Sequence, residues 1–153
     1  MKNKIIFREA ALDEALLPVL LALSVDWERE ESCRGYRRNT KADLAGRRVW
    51  VARDGESIVG YLFGLMEKTE KTSTVLSSDT PYFEVEELYV RPAYRGQGIG
   101  RRLFSLAEEA MRQEGTAQCL MLSTATKNWK SILHFYLDEL DMTFWNARLF
   151  KRL

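Results

Sequence analysis

The stretch Glu86-Glu87-Leu88-Tyr89-Val90-Arg91-Pro92-Ala93-Tyr94-Arg95-Gly96-Gln97-Gly98-Ile99-Gly100 decides how this chain is read. It opens on a strand pattern, Tyr82 to Val90, whose bulky residues alternate, and Pro92 ends that strand. Beyond the glycines, Ile99, Leu103, Leu106, Ala107 and Ala110 fall on one helical face, and Gly115 is the natural stop. The glycines therefore occupy a strand-to-helix turn. They let the backbone approach a ligand closely, and the helix start exposes unpaired N–H groups at the positive end of its dipole. The combination is an anion site suited to phosphate, with Arg95 and Arg101 placed to add charge.

Three phosphate-binding patterns compete for this turn. A Walker loop requires a Lys-Ser/Thr pair after its glycines, and none follows. The dinucleotide fingerprint requires GxGxxG in a first βα unit. Here the spacing is Gly96-x-Gly98-x-Gly100, after a region that reads as antiparallel. The third pattern, [RQ]-x-x-G-x-[GA], is matched by Arg95, Gly98 and Gly100. With its preceding strand and Pro92, the stretch resembles the pyrophosphate motif of the GNAT superfamily of acetyl-CoA-dependent N-acetyltransferases. A second element agrees: Asn128 and then His134-Phe135-Tyr136, about thirty residues downstream.

The resemblance implies one α/β domain over residues 1–153, a mixed central sheet flanked by helices. It implies an acetyl-CoA cosubstrate and transfer to a primary amine, here expected on a small molecule, directly within a ternary complex. The backbone of Leu88-Tyr89-Val90 would hold the pantetheine and the acetyl carbonyl. The N–H groups of Arg95, Gly96, Gln97, Gly98, Ile99 and Gly100, with the Arg101 region, would hold the pyrophosphate, and Asn128 would contact the pantetheine arm. The alternatives are an N-terminal protein acetyltransferase and a non-catalytic acyl-CoA sensor on the same fold.

Acetyl transfer to an amine needs a base for the ammonium and an acid for the departing thiolate. Glu84, Glu86 and Glu87 crowd the strand before the turn; alternation puts Glu84 and Glu86 on one face and Glu87 on the other. By its distance from Arg95, Glu86 matches the base of spermidine/spermine acetyltransferases, and Glu84 that of some other members. Solvated carboxylates on an exposed strand face are the plain reading. Tyr136 matches the family tyrosine near the thioester sulfur; its plain reading is an interior ring with a satisfied hydroxyl. The family's Leu-Gly-Phe after this helix is Leu140-Asp141-Met142 here, a departure that touches the acceptor side and the expectation of a homodimer.

The rest of the chain is consistent with one domain. Lys4 to Arg8 reads as a strand. Asp13 reads as the N-cap of a helix carrying Leu16, Val19, Leu20 and Leu23, with Pro18 inside its pattern. Asp26 to Tyr36 is charged and irregular; among the tryptophans, Trp27 in this segment is the one singled out. A short helix is expected over Thr40 to Ala45. Arg48–Arg53 and Ser57–Met66 flank Asp54-Gly55, the signal of a type I′ hairpin. Lys68 to Thr80 reads as a loop. Cys119–Ser123 reads as a buried strand parallel to the one before the glycines, Asn128–Leu137 as a helix, and Thr143–Lys151 as a final strand.

Composition sets the outer limits. With 23 Lys+Arg against 22 Asp+Glu the net charge is +1, which argues against bulk nucleic-acid binding. Cys33 and Cys119 read as free thiols, and with His134 as the one histidine no zinc site of Cys and His is expected. No apolar run reaches the ~18 residues of a membrane span, and acidic residues follow the first apolar run too closely for a signal peptide, so the expectation is a cytoplasmic protein without membrane partners. The acids Asp26, Glu28, Glu30 and Glu31, with the strand carboxylates, would suit a cationic acceptor; arginines alternate with them, so self-pairing is the competing reading.

Overall fold

A computed structural model describes residues 4–153; Met1–Asn3 at the start of the N-terminal segment lie outside the described residues. The sheet has five strands in sequence order: β1 (Ile6–Ala10), β2 (Arg48–Asp54), β3 (Ser57–Lys68), β4 (Pro81–Val90) and β5 (Leu120–Met121). The first four are antiparallel, and β5 is parallel to β4. Helices α1 (Leu16–Glu30) and α2 (Lys41–Leu44) precede the hairpin, α3 (Ile99–Glu114) follows β4, and α4 (Trp129–Leu133) continues into a π-helical segment, His134–Glu139. The mixed sheet with flanking helices is the expected GNAT-like fold.

Each side of the sheet carries its own core. On one, Trp50, Leu62, Phe83 and Val85 meet the buried stripe Ile99, Leu103, Phe104, Ala107 and Met111 of α3. On the other, Leu16, Leu20 and Leu23 of α1 pack on Val49, Val51, Tyr61 and Tyr89. Each large side chain so buried contributes about 1.5–3 kcal/mol.

Several local readings are resolved by these contacts. Asp13 does cap α1: its carboxylate accepts from the N–H groups of Ala15 (3.1 Å) and Leu16 (2.8 Å). Pro18 is the third residue of Leu16–Glu30, in its first turn, where a missing N–H is tolerated. The helix runs on to Glu30, so Asp26–Glu30 is not irregular as expected. Trp27 stacks on Tyr36 and Tyr89, and these long-range contacts hold the extra turn. The hairpin forms, shifted by one residue. Asp54 pairs with Ser57 around Gly55-Glu56, and only Gly55 has positive φ (57°), the pattern of a type II′ turn rather than I′.

The final strand expected over Thr143–Lys151 does not form. Residues 141–153 have no regular structure, and Leu149 is 94% exposed. A strand here would need a sheet edge to pair with, and β5 at two residues is too short to offer one. The departure at Asp141 has a structural account. Its φ is +56°, so aspartate fills the left-handed position that a glycine would favour, while the Met142 N–H donates to the Tyr136 carbonyl at 3.0 Å.

Candidate active site

The site starts from a register shift. Phe63 pairs with Glu87 and Gly64 with Val85, so Glu86 is an extra residue on β4. Gly64 permits it: a Cβ there would lie 2.0 Å from the Glu84 carbonyl oxygen. The bulge reverses the alternation. Phe83 and Val85 face α3 before it, and Leu88 and Val90 face α3 after it. Glu87 is therefore brought round to the α1 side with Tyr89, beside Tyr61, and the expectation that it takes the face opposite Glu84 and Glu86 is corrected. Gly64, one of two glycines inside the Ser57–Met66 strand pattern, was the available signal.

The three carboxylates acquire three environments. Glu86 binds the Arg47 guanidinium through both oxygens, at 2.8 and 2.9 Å. Glu87 accepts from Asn39 Nδ2 (2.9 Å) and the Tyr61 hydroxyl (2.8 Å), with the Tyr36 hydroxyl at 3.5 Å. Burial raises its pKa, and those three donors oppose the rise. Tyr36 also meets Ser24 Oγ (2.7 Å), which accepts from the Asn39 N–H, so Glu87 ties the segment after α1 to the sheet. Arg47, Asn39 and Tyr36 were not singled out in the sequence. Glu84 has neither an ion pair nor a hydrogen bond among the described residues; burial, then Glu86 and Glu67, push its pKa up to about 7.

Beyond the bulge, β4 and β5 part. Their pairing consists of Phe83–Leu120 and Glu84–Met121, while β4 continues to Val90. The Arg91 N–H donates to Val59 on β3 at 2.9 Å. Backbone groups of alternate residues point to opposite sides of a strand, so those of Tyr89 face β3 and those of Leu88 and Val90 face the splay. The Val90 carbonyl already accepts from Arg95 Nε at 2.8 Å.

At the far end of β4, a turn of 3₁₀ helix (Pro92–Tyr94) leads into the glycines. Gly96 (φ 72°) and Gly98 (φ 80°) are left-handed, and a Cβ on either would meet no protein atom within 4 Å. The first intrahelical bond of α3 runs from the Arg102 N–H to the Gly98 carbonyl, so the Ile99, Gly100 and Arg101 amides ahead of it lack helical partners. Gln97 Nε2 donates to the Ala93 carbonyl at 3.3 Å. The Arg95 side chain does not project from the turn: its guanidinium binds both Glu30 oxygens at 2.9 Å and lies over the Tyr89 ring. It fixes the turn against α1.

Tyr136 packs against α3. The Phe135 ring tip is positioned 3.6 Å from where a Gly100 Cβ would be, and the Tyr136 ring packs edge-on to Phe104 and Phe135. The Leu140 N–H donates to the Phe135 carbonyl at 3.1 Å, a π-helical bond that keeps both neighbouring rings turned to α3. Burial raises the Tyr136 pKa to about 12, with Cys33 adding to it, and no hydrogen bond among the described residues holds the hydroxyl. Asn128 caps α4, its carbonyl accepting from Ile132 at 3.2 Å. His134 turns outward and pairs with Asp138 at 2.7 Å. Of the sequence-derived set, Glu84, Glu86, Leu88, Tyr89 and Val90 share β4, the glycines follow it into α3, and Tyr136 packs on α3 through Phe104.

Comparison places this geometry among known folds. The model of the acetyltransferase (GNAT) family matches residues 16–140. No curated protein sequence matches. Among solved structures, an aminoglycoside acetyltransferase from an uncultured soil metagenomic sample is 18% identical, with 97% of this chain and 96% of that one covered and a TM-score of 0.67. A Trypanosoma brucei acetyltransferase is 20% identical over 98% and 100% of the two chains, TM-score 0.67. A transcriptional regulator from Bacillus halodurans is 23% identical over 98% and 100%, TM-score 0.63. These likenesses bear on the fold; the family match, running from the first residue of α1 to the end of the tyrosine helix, carries the assignment, and the chain belongs to the GNAT acetyltransferase family.

Proposed function

We propose that this chain transfers the acetyl group of acetyl-CoA to a primary amine of a small molecule, directly within a ternary complex in the β4–β5 splay. The single observation that carries the reading is the parting of β4 from β5 between Glu84, whose pKa is about 7, and the open glycine turn at Gly96–Arg101. The α3 amides of Ile99, Gly100 and Arg101, with the open glycine turn ahead of them, receive the pyrophosphate, as unpaired donors at a helix start do. The Leu88 and Val90 N–H groups hold the pantetheine and the acetyl carbonyl, and Asn128, at the start of α4, contacts the pantetheine arm. Bound there, acetyl-CoA supplies an activated acyl group on a thiol leaving group.

Glu84 takes the proton from the incoming ammonium, directly or through water. A pKa near the working pH lets it be ionised yet basic enough to accept, the condition for an efficient general base. Glu86 is the family-aligned candidate, but both of its oxygens are already engaged by the Arg47 guanidinium, which leaves Glu84 as the unengaged carboxylate. The Tyr136 hydroxyl stays protonated at neutral pH and donates to the departing thiolate.

The test is thiol release from acetyl-CoA across a panel of small amines. The proposal expects turnover on at least one amine with a matching N-acetyl product. Binding of acetyl-CoA with turnover on none would favour the non-catalytic sensor and overturn it.

A further inference from the structure

The acids after α1 do not form an acidic patch. Glu28 binds Arg38 at 2.6 Å and Glu30 binds Arg95 at 2.9 Å. What they leave is a cavity of about 590 Å³ between this segment and the C-terminal tail. Its walls carry Trp27, Tyr36 and Phe150, and its cations are Arg34, Lys127 and Arg152. Arg34 lies 5.3 Å and Arg152 5.9 Å from the centre of the Phe150 ring. Among the described residues none of these three cations is in an ion pair. Glu31 is the lining carboxylate without an ion-pair partner, since Glu28 is already neutralised by Arg38. The cavity is thus net cationic.

Its position ties it to the site already described. The segment is stitched to the β5–α4 connection: Arg34 N–H donates to the Ala125 carbonyl (2.9 Å) and Lys127 N–H to that of Ser32 (2.8 Å). The antiparallel bridge between Cys33 and Thr126 puts Arg34 and Lys127 on one face of this pairing, at diagonal positions. Cys33 lies on the same wall, and the Tyr36 hydroxyl lies 3.5 Å from Glu87 on β4. An amine delivered to the splay would leave its far end here.

We propose that this cavity is an acceptor subsite for an anionic group: the acceptor is a primary amine that also carries a carboxylate or phosphate on an apolar or aromatic body. The inference rests on the acetyl-transfer reading and replaces the cationic acceptor that the acidic residues suggested. Aromatic walls take the body, and guanidinium and ammonium donors make charge-assisted bonds to the anion.

The experiment compares 4-(aminomethyl)benzoate, its carboxamide and 1,4-bis(aminomethyl)benzene as acceptors at saturating acetyl-CoA. The expected kcat/KM is highest for the benzoate, about tenfold or more above the carboxamide, the worth of one charge-assisted hydrogen bond. In the double variant Arg34→Gln, Lys127→Gln that ratio should collapse to within about threefold; as a ratio, it is insensitive to loss of folded protein. Equal rates, a preference for the diamine, or a ratio unchanged in the variant would overturn the subsite while leaving acetyl transfer intact. Turnover on no amine, with acetyl-CoA still bound, would overturn the acetyl-transfer reading and the subsite with it. The other source of an anion is the cosubstrate's own 3′-phosphate. Calorimetric affinities for coenzyme A and 3′-dephospho-coenzyme A should fall in parallel, or not at all, in the double variant. A loss confined to coenzyme A would assign the cations to the cosubstrate and overturn the proposal.

Discussion

The two ends of β4 are built by different means. The glycine turn after Val90 is made of backbone: two left-handed glycines, open space in front of them and the unpaired amides of α3. The carboxylate stretch before it is made of side chains. Three glutamates within four positions reach three states because Arg47, Asn39, Tyr36 and Tyr61 come to two of them and, among the described residues, no polar partner comes to the third. A site of the first kind is written in consecutive residues. A site of the second kind is written in partners that lie 26 to 51 residues away.

The comparison breaks most visibly at the turn. Gly98→Asp puts a β-carbon at φ 80° and a negative charge among the amides. If two charge-assisted bonds to phosphate are lost, acetyl-CoA affinity falls by about 10²–10⁴-fold, read by calorimetry on folded protein. Unchanged affinity would mean that the turn is only a turn. Tyr136→Phe is expected next. It removes a hydroxyl that holds no hydrogen bond among the described residues, so kcat should fall about 10–10³-fold with little change in melting temperature. A less stable enzyme with normal kcat would make the tyrosine scaffold.

Glu87→Gln probes the side-chain end. The amide offers one acceptor oxygen where Asn39 and Tyr61 each donate to a separate one, so denaturant unfolding should show a loss of about 1–3 kcal/mol. A neutral substitution would show that the Glu87 hydrogen bonds add little, and that Trp27 stacking and the backbone bonds to the β5–α4 connection hold the segment after α1. The smallest effect belongs to Asp141→Gly, which relieves a left-handed aspartate and should stabilise by up to about 1 kcal/mol in the same assay. Destabilisation there would mean that the aspartate side chain contributes more than its backbone strain costs.

Legibility followed the same division. The turn, α3 and the Asp13 cap were readable because each rests on neighbours in sequence, and the parallel pairing of β5 followed from the strand-helix-strand order. The extension of α1 to Glu30 was not, because Tyr36 and Tyr89 hold it from outside. The face of Glu87 was misread because the bulge depends on Gly64 across the ladder. The Thr143–Lys151 pattern had strand character, but its outcome depended on the length of β5, which local propensity does not encode.

The central claim is that Glu84, not Glu86, carries the proton from the acceptor. The pH dependence of kcat/KM for the wild type, Glu84→Gln and Glu86→Gln tests it directly. Glu84 titrates near pH 7, and the base is active when ionised, so the wild-type rate should fall as the pH drops below about 7. Glu86→Gln should keep that limb; Glu84→Gln should lose it, with kcat/KM lowered by about 10²–10⁴-fold. Loss of the limb in Glu86→Gln, with Glu84→Gln behaving as wild type, would contradict the account.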